Sequence, residues 1–249
     1  MSGSVATRRQ CLEALDVFVL AGGLGTRIRP VLGDLPKILA PISGRPYLAY
    51  LLDWLQGFGA RRVVLGLGHQ AQAVIDRLNA QSVDKVELAT VVEPSPLGTA
   101  GAIRFARSKL RSDPVLIMNG DSFTDADLCA FVDRHSTAKA LGSILCAEVD
   151  DAGRYGRVEL DQRGYIRGFV EKDPAFHGRA LVNAGVYLLS AALLDEIAAG
   201  DAASLERDVF ERLPAGSLAV YSGRFKFIDI GTPESLALAA GVFAPRNMT

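Results

Sequence analysis

The chain has 249 residues, a mass of 26.5 kDa and a formal net charge of −1, with 49% hydrophobic and 22% charged residues. A chain of this size buries roughly 70% of the surface it exposes when unfolded, so one domain with a sizeable core is expected. The composition excludes disorder, collagen and coiled coil. A balanced charge with no long basic run gives no field to draw the chain onto nucleic acid or an anionic membrane. Cys11, Cys129 and Cys146 are odd in number without a Cys-x-x-Cys pair, and His69, His135 and His177 are scattered, so neither a zinc site nor a disulfide framework is expected. Arg8 and Arg9 precede an apolar stretch, but Glu13 and Asp16 interrupt it, which argues against an export signal. The run Ala180 to Leu194 contains Asn183 and Ser190 and is too short to span a bilayer. A cytoplasmic location is therefore expected.

From Asp16 to about His135, apolar runs of strand length alternate with segments of helical period. This is how a parallel sheet with crossover helices reads, and a doubly wound α/β fold is expected. Val17 to Ala21 is the first buried strand. Pro46 opens a helix whose Leu48, Leu51, Leu52 and Leu55 share one face, with Gly57 and Gly59 ending it. Strand Arg62 to Leu67, helix Gln70 to Leu78, strand Val86 to Val92, helix Thr99 to Leu110 and strand Val115 to Met118 continue the alternation. After Ala138 the pattern changes. Gly156 to Leu160, the turn Asp161-Gln162-Arg163-Gly164 and Tyr165 to Val170 read as an antiparallel hairpin. Leu181 to Leu189 and Phe225 to Ile230 are further strands, and Thr232-Pro233-Glu234 places an N-cap, a first-turn proline and an early acid at the start of a last helix. No linker or internal repeat divides the chain.

The first strand runs into Leu20-Ala21-Gly22-Gly23-Leu24-Gly25-Thr26-Arg27. The glycines let backbone N–H groups approach an anion, with Arg27 close behind, although a glycine-rich surface turn has the same composition. It is not a P-loop, because no Gly-Lys dipeptide occurs, and it is not a dinucleotide fingerprint, because Ile28 stands in the place of the third glycine. Further on, Pro36 precedes Lys37, so a fixed backbone presents a single ammonium that can sit over phosphates, or simply in solvent. Asp121 follows the strand ending at Met118 through Asn119-Gly120, at the carboxyl edge where α/β sheets bind ligands. Asp229 ends the later strand. Two hard oxygen ligands with no histidine cluster favour Mg²⁺ if the two aspartates meet, whereas either alone reads more often as a loop residue or a cap.

Gly-Gly-x-Gly-Thr-Arg followed by Pro-Lys resembles the signature of the sugar-1-phosphate nucleotidylyltransferases, and the resemblance runs from about Asp16 to about Val242. It implies a Rossmann-like, doubly wound, mostly parallel mixed sheet of the nucleotide-diphospho-sugar transferase type. Residues 1–15 are an N-terminal tail on this reading, and 16–249 a single domain with a nucleotide-binding half to about 137 and a sugar-phosphate-binding half over about 138–243. It implies catalytic roles for Arg27, Lys37, Asp121 and Asp229, with both aspartates on one Mg²⁺. The nucleotide falls to Leu20, Ala21, Gly22, Gly23, Gly25, Thr26, Arg27, Glu93, Gly98 and Thr99. The sugar phosphate falls to Asn119, Gly156, Glu171, Lys172 and Asn183, with Lys172 on the phosphate and Glu171 and Asn183 on hydroxyls.

Glu93 lies in the segment that meets the nucleobase in that family. A carboxylate only accepts, and guanine offers adjacent N1–H and N2–H₂ donors where uracil and thymine present one, so Glu93 points to GTP over uridylyl or thymidylyl donors, although a solvated Glu reads equally well. Leu35-Pro36-Lys37, Leu51-Leu52-Asp53 and Phe227-Ile228-Asp229-Ile230-Gly231-Thr232-Pro233-Glu234 are most similar to the guanylyltransferase branch acting on D-glycero-α-D-manno-heptose 1-phosphate, with mannose 1-phosphate the near alternative. Ile38 after Lys37 is a mild departure. The partners implied are an NTP and a sugar 1-phosphate, with homodimer assembly allowed and neither nucleic acid nor membrane expected. Two other classes stand beside this. A sensor that binds nucleotide without turnover would not need both aspartates, and a Rossmann oxidoreductase lacks both its glycine at Ile28 and an acid near Leu39 and Ala40.

Overall fold

A computed structural model of the protein describes residues 10–80, 86–162 and 164–243. Strand β1 (Asp16–Ala21) is buried at Val17, Phe18 and Val19, as a central parallel strand covered on both faces must be. It leads through the glycine loop to a single helical turn, α1 (Arg29–Leu32), then to the short pair β2 (Pro41–Ile42) and β3 (Arg45–Pro46) and into helix α2 (Tyr47–Gly57). The leucines predicted for the inner face of α2, Leu48, Leu51, Leu52 and Leu55, are all buried; Pro46 is its N-cap residue, extended at ψ 141°, not its first helical residue.

The alternation continues through β4 (Arg62–Leu67), α3 (Ala71–Ala80), β5 (Glu87–Val92), α4 (Gly98–Ala106) and β6 (Val115–Asn119). Helix α3 starts one residue later than the pattern predicts because Gln70 adopts φ +61°, which no helical residue can hold. Helix α4 stops at Ala106 and tightens into a 3₁₀ turn over Arg107–Lys109.

Next come β7 (Ser122–Thr124), α5 (Leu128–Ala138) capped by the Asp127 side chain, and β8 (Gly142–Val149). The predicted hairpin forms as β9 (Arg157–Leu160) and β10 (Ile166–Val170), with Arg163 of its turn outside the described residues. Then follow β11 (Ala180–Leu189), α6 (Ala191–Ala199), β12 (Leu218–Gly223), β13 (Phe227–Asp229) and α7 (Pro233–Phe243). The last helix starts where Thr232-Pro233-Glu234 places it, with the Thr232 hydroxyl accepting from the Ser235 N–H at 3.2 Å.

The sheet has nine strands in the order β10-β9-β11-β6-β1-β4-β5, with β8 joined to β11 and β12 to β8. Parallel pairs hold β4, β1, β6 and β5 together, and β11 adds to β6 antiparallel with Val186 opposite Met118. The expected doubly wound mixed sheet is therefore observed, and the second half of the chain extends the same sheet. Successive residues of β1 feed opposite faces. Val17 and Val19 pack with α2 and α3, whereas Phe18 packs with Ile103 of α4 and Leu193 of α6.

One expectation is corrected. Cys11 and Cys129 form a disulfide across 118 residues of chain, a pairing that odd count and spacing could not reveal. The bond joins the segment before β1 to the first turn of α5. In this part of the expected tail Leu12 is fully buried and its N–H donates to the Phe58 carbonyl at 3.0 Å, so residues 10–15 pack onto the body. Cys146 stays a free thiol, buried and pushed up to about 12 by desolvation, and is inert as a nucleophile.

Candidate active site

The glycine loop leaves the carboxyl end of β1 and passes between two strand ends. Gly25 holds φ +59°, and its carbonyl accepts from the Ile28 and Arg29 N–H groups, which turns the chain into α1. Ile28, the residue that breaks the dinucleotide fingerprint, is buried and anchors this turn. Gly22 lies against Glu93: a side chain there would put its Cβ 2.9 Å from Glu93 Oε1. A side chain there would push the Glu93 carboxylate out of its place. Glu93 Oε2 accepts from the Leu97 N–H at 3.3 Å, and burial raises the carboxyl pKa from 4.5, opposed in part by that bond.

Lys37 opens the 3₁₀ turn Lys37–Leu39 behind Pro36, whose φ of −54° and ψ of 137° set the approach. Its Nζ donates to Asp121 Oδ2 at 2.8 Å. The two aspartates come together because β13 pairs with β7. Asp229 stands opposite Ser122, the Ile230 N–H donates to the Asp121 carbonyl at 2.8 Å, and Ser122 Oγ donates to Asp121 Oδ1 at 3.2 Å. Asp229 Oδ1 accepts from the Gly231 N–H at 2.6 Å. The Asp229 carboxyl is pushed up by burial and then by the charge of Asp121; Lys37, the Gly231 N–H and Lys172 pull it back. The field of the two carboxylates also reaches Tyr47, whose buried phenol donates to the Ser122 carbonyl at 2.7 Å and is raised by desolvation first.

Two cavities flank this pair. One, of about 330 Å³, is lined by Leu20, Ala21, Gly22, Gly23, Glu93, Gly98 and Thr99. The other, of about 630 Å³, is lined by Gly25, Thr26, Arg27, Gly156, Glu171, Lys172, Asn183 and Asp229. Lys37, Asn119 and Asp121 line both. Every residue the resemblance assigns to the site thus lies on one wall or the other, and the two cavities meet at the Lys37–Asp121 ion pair. A model of the family described as nucleotidyl transferase matches residues 17–243.

The chain belongs to the nucleotidyl transferase family. This transferase is 33% identical over 225 residues to a mannose-1-phosphate guanylyltransferase of Mycobacterium tuberculosis, a match over 88% of this chain and 62% of that protein. It spans about three fifths of that relative's length. A D-glycero-alpha-D-manno-heptose 1-phosphate guanylyltransferase of Campylobacter jejuni is 29% identical over 223 residues, covering 88% of this chain and 96% of that one. The crystal structure of HddC from Yersinia pseudotuberculosis, also solved complexed with GMP-PN, superposes with a TM-score of 0.83 at 33% identity, over 92% of this chain and 99% of that one.

The larger cavity also carries residues that sequence reasoning passed over. Ser204, Glu206, Arg207 and Glu211 reach it from the turn Leu205–Val209, which winds as a π-helix capped by Ser204, and from the 3₁₀ turn after it. Nothing in Ser-Leu-Glu-Arg-Asp distinguishes it from a solvated helix end. His69, singled out from the sequence only as one of three scattered histidines, lines the smaller cavity.

Proposed function

We propose that this nucleotidyl transferase moves a guanylyl group from GTP to a sugar 1-phosphate, D-glycero-α-D-manno-heptose 1-phosphate first and mannose 1-phosphate as the near alternative, in the cytoplasm. The observation that carries the proposal is the meeting of two cavities at Lys37 and Asp121. A base and ribose occupy the smaller cavity beside Glu93, a sugar occupies the larger beside Glu171 and Asn183, and their phosphates converge where the walls join. An oxygen of the sugar phosphate attacks the α-phosphorus; one P–O bond forms, the α–β bridging P–O bond breaks, and pyrophosphate leaves with the electron pair. A phosphate with a second pKa of about 6 is already the anion near neutrality, so no general base is needed. The work of the protein is to align two polyanions that repel.

The N–H groups of Gly22 to Gly25, with Arg27, hold the triphosphate in this reading, and Lys37 trades its bond to Asp121 for the phosphates. Asp121 and Asp229 are the residues that would hold a divalent cation. Asp229 is pushed up by burial first and by the charge of Asp121 second, which suits a bound cation, and no cluster of three or more His, Cys, Asp or Glu suited to a metal is found among the described residues. The remaining ligands are then phosphate oxygens and water, which is the habit of Mg²⁺. When bound it supplies neutralisation of phosphate charge.

The test is pyrophosphate release with Mg²⁺ over a grid of GTP, ATP, UTP, CTP and dTTP against heptose, mannose and glucose 1-phosphates. Release in a GTP column supports the proposal and selects the sugar. Activity confined to another base overturns the reading of Glu93, and silence from folded protein that binds GTP makes it a sensor.

Glu93→Gln should lower the preference for GTP over UTP by about 10- to 100-fold, the worth of one hydrogen bond to a charged acceptor, because the amide presents a donor to a donor edge. In the wild-type protein the same preference should fall on the acid side at a pH above 4.5, since burial raises the Glu93 carboxyl and its protonated form no longer offers two acceptors. Competition kinetics against pH reads both effects. A preference unchanged by the substitution assigns base reading to the loop at Leu20.

A further inference from the structure

The resemblance places Asn183 on sugar hydroxyls, yet both of its amide hydrogens are used inside the protein. Its Oδ1 accepts from the Gly185 N–H at 2.8 Å, and its Nδ2 donates to Tyr187 Oη at 2.9 Å and to Glu206 Oε1 at 3.2 Å. Both amide hydrogens are therefore committed. Tyr187 is 1% exposed, and its only hydroxyl hydrogen goes to the same Glu206 Oε1 at 2.8 Å. Burial, and after it the charge of Glu206, keeps that phenol protonated well above its ordinary range. All three donations end on one oxygen of one carboxylate, or on the hydroxyl that feeds it.

Glu206 Oε1 is thus filled, while among the described residues Oε2 accepts only the Ser204 hydroxyl at 3.3 Å and keeps lone pairs to spare. Glu206 lines the larger cavity together with Glu171 and Lys172. A carboxylate whose inner oxygen is held by the buried Tyr187 phenol and the half-buried Asn183 amide, and whose outer oxygen is under-used at a cavity wall, is a preorganised acceptor, and the donors a sugar offers are its hydroxyls.

We propose that Glu206 is the residue of this wall that accepts a hydrogen bond from a sugar hydroxyl and selects the acceptor, and that Asn183 and Tyr187 act through it as positioning residues. The assignment rests on the reading of this site as a sugar 1-phosphate pocket. Glu206→Gln is a mild variant, because the side-chain carbonyl can take the place of Oε1 between Tyr187 and Asn183 while the amide nitrogen replaces only the outer oxygen.

The experiment measures steady-state kinetics with GTP and the sugar 1-phosphate the wild-type protein uses, together with its monodeoxy analogues. Thermal melts confirm that each variant folds. Glu206→Gln should raise KM for the sugar 1-phosphate by about 10- to 100-fold with KM for GTP unchanged, the loss of one charge-assisted bond. With one monodeoxy analogue, the one missing the bonded hydroxyl, variant and wild type should agree within about twofold. Tyr187→Phe should show the same blindness to that analogue with a smaller rise in KM, as a positioning role requires and a merely structural one does not. A folded Glu206→Gln protein with an unchanged sugar KM, or one that loses the same factor with every analogue, overturns the assignment. A wild-type protein that turns over no sugar 1-phosphate overturns the functional reading itself, and the assignment falls with it.

Discussion

Asp121→Asn should lower kcat by about three orders of magnitude, or about 4 kcal/mol of transition-state stabilisation, and leave the fold intact. The carboxylate stands where the two cavities meet, paired with Lys37 at 2.8 Å and facing the charge of Asp229. Loss of its charge removes one of the two anionic groups proposed for a cation and frees Lys37 from its partner. The stability terms oppose each other. The ion pair is lost, but its side chains are 20% and 34% exposed, so solvent already screens it. The repulsion that pushes Asp229 up is lost as well. Asn keeps the Oδ1 acceptor that Ser122 uses. A melting temperature within a few degrees of wild type is expected, beside a near-complete loss of pyrophosphate release. Near-normal turnover with Mg²⁺ from folded Asp121→Asn protein would refute the assignment of Asp121.

The parts of this site that were legible in the sequence are those carried by local pattern. A buried apolar run ending in glycines can only be a strand feeding a loop at a sheet edge, and β1 with Gly22 to Gly25 is that. The leucine spacing of α2 and the turn residues between β9 and β10 are equally local. What periodicity could not show are the long-range meetings. Asp121 and Asp229 are joined by β7 and β13, strands of three residues each, too short to carry a pattern, and only the family resemblance brought them together beforehand. Cys11 and Cys129 meet because the segment before β1 lies on α5, which their spacing does not encode. Glu206 escaped notice because its neighbours are polar, as on any exposed turn. It sits in the π-helical turn Leu205–Val209, a local departure of the kind found near functional sites, and meets Asn183 and Tyr187 there. Asn183 illustrates the converse: an amide in the right place by motif, whose hydrogen bonds are committed within the protein.

Gly98→Ala should cost about 3 kcal/mol and lower the melting temperature by about 6–12 °C, an unusually large effect for one methyl group. Gly98 holds φ +76°, where an L side chain adds about 1–2 kcal/mol of strain. Its Cβ would also lie against the Ala203 backbone, 3.0 Å from the carbonyl carbon and closer still to the oxygen. Overpacking against backbone, which cannot rotate aside, adds about 1–3 kcal/mol. Gly23→Ala is the matched control. Gly23 has no positive φ and nothing within 4 Å of a Cβ, so its melting temperature should be unchanged within error. The consequence reaches across the site. The Ala100 N–H donates to the Ala203 carbonyl at 2.9 Å, and the Leu205 N–H donates to Thr99 Oγ1 at 2.7 Å, so the start of α4 on the base side is stitched to the turn that carries Glu206 on the sugar side. Displacing Ala203 therefore moves Glu206. Gly98→Ala, although its own position lines the smaller cavity, should raise KM for the sugar 1-phosphate more than KM for GTP. A variant that melts within 2 °C of wild type, or that loses affinity only for GTP, shows that the two walls are not coupled through this contact.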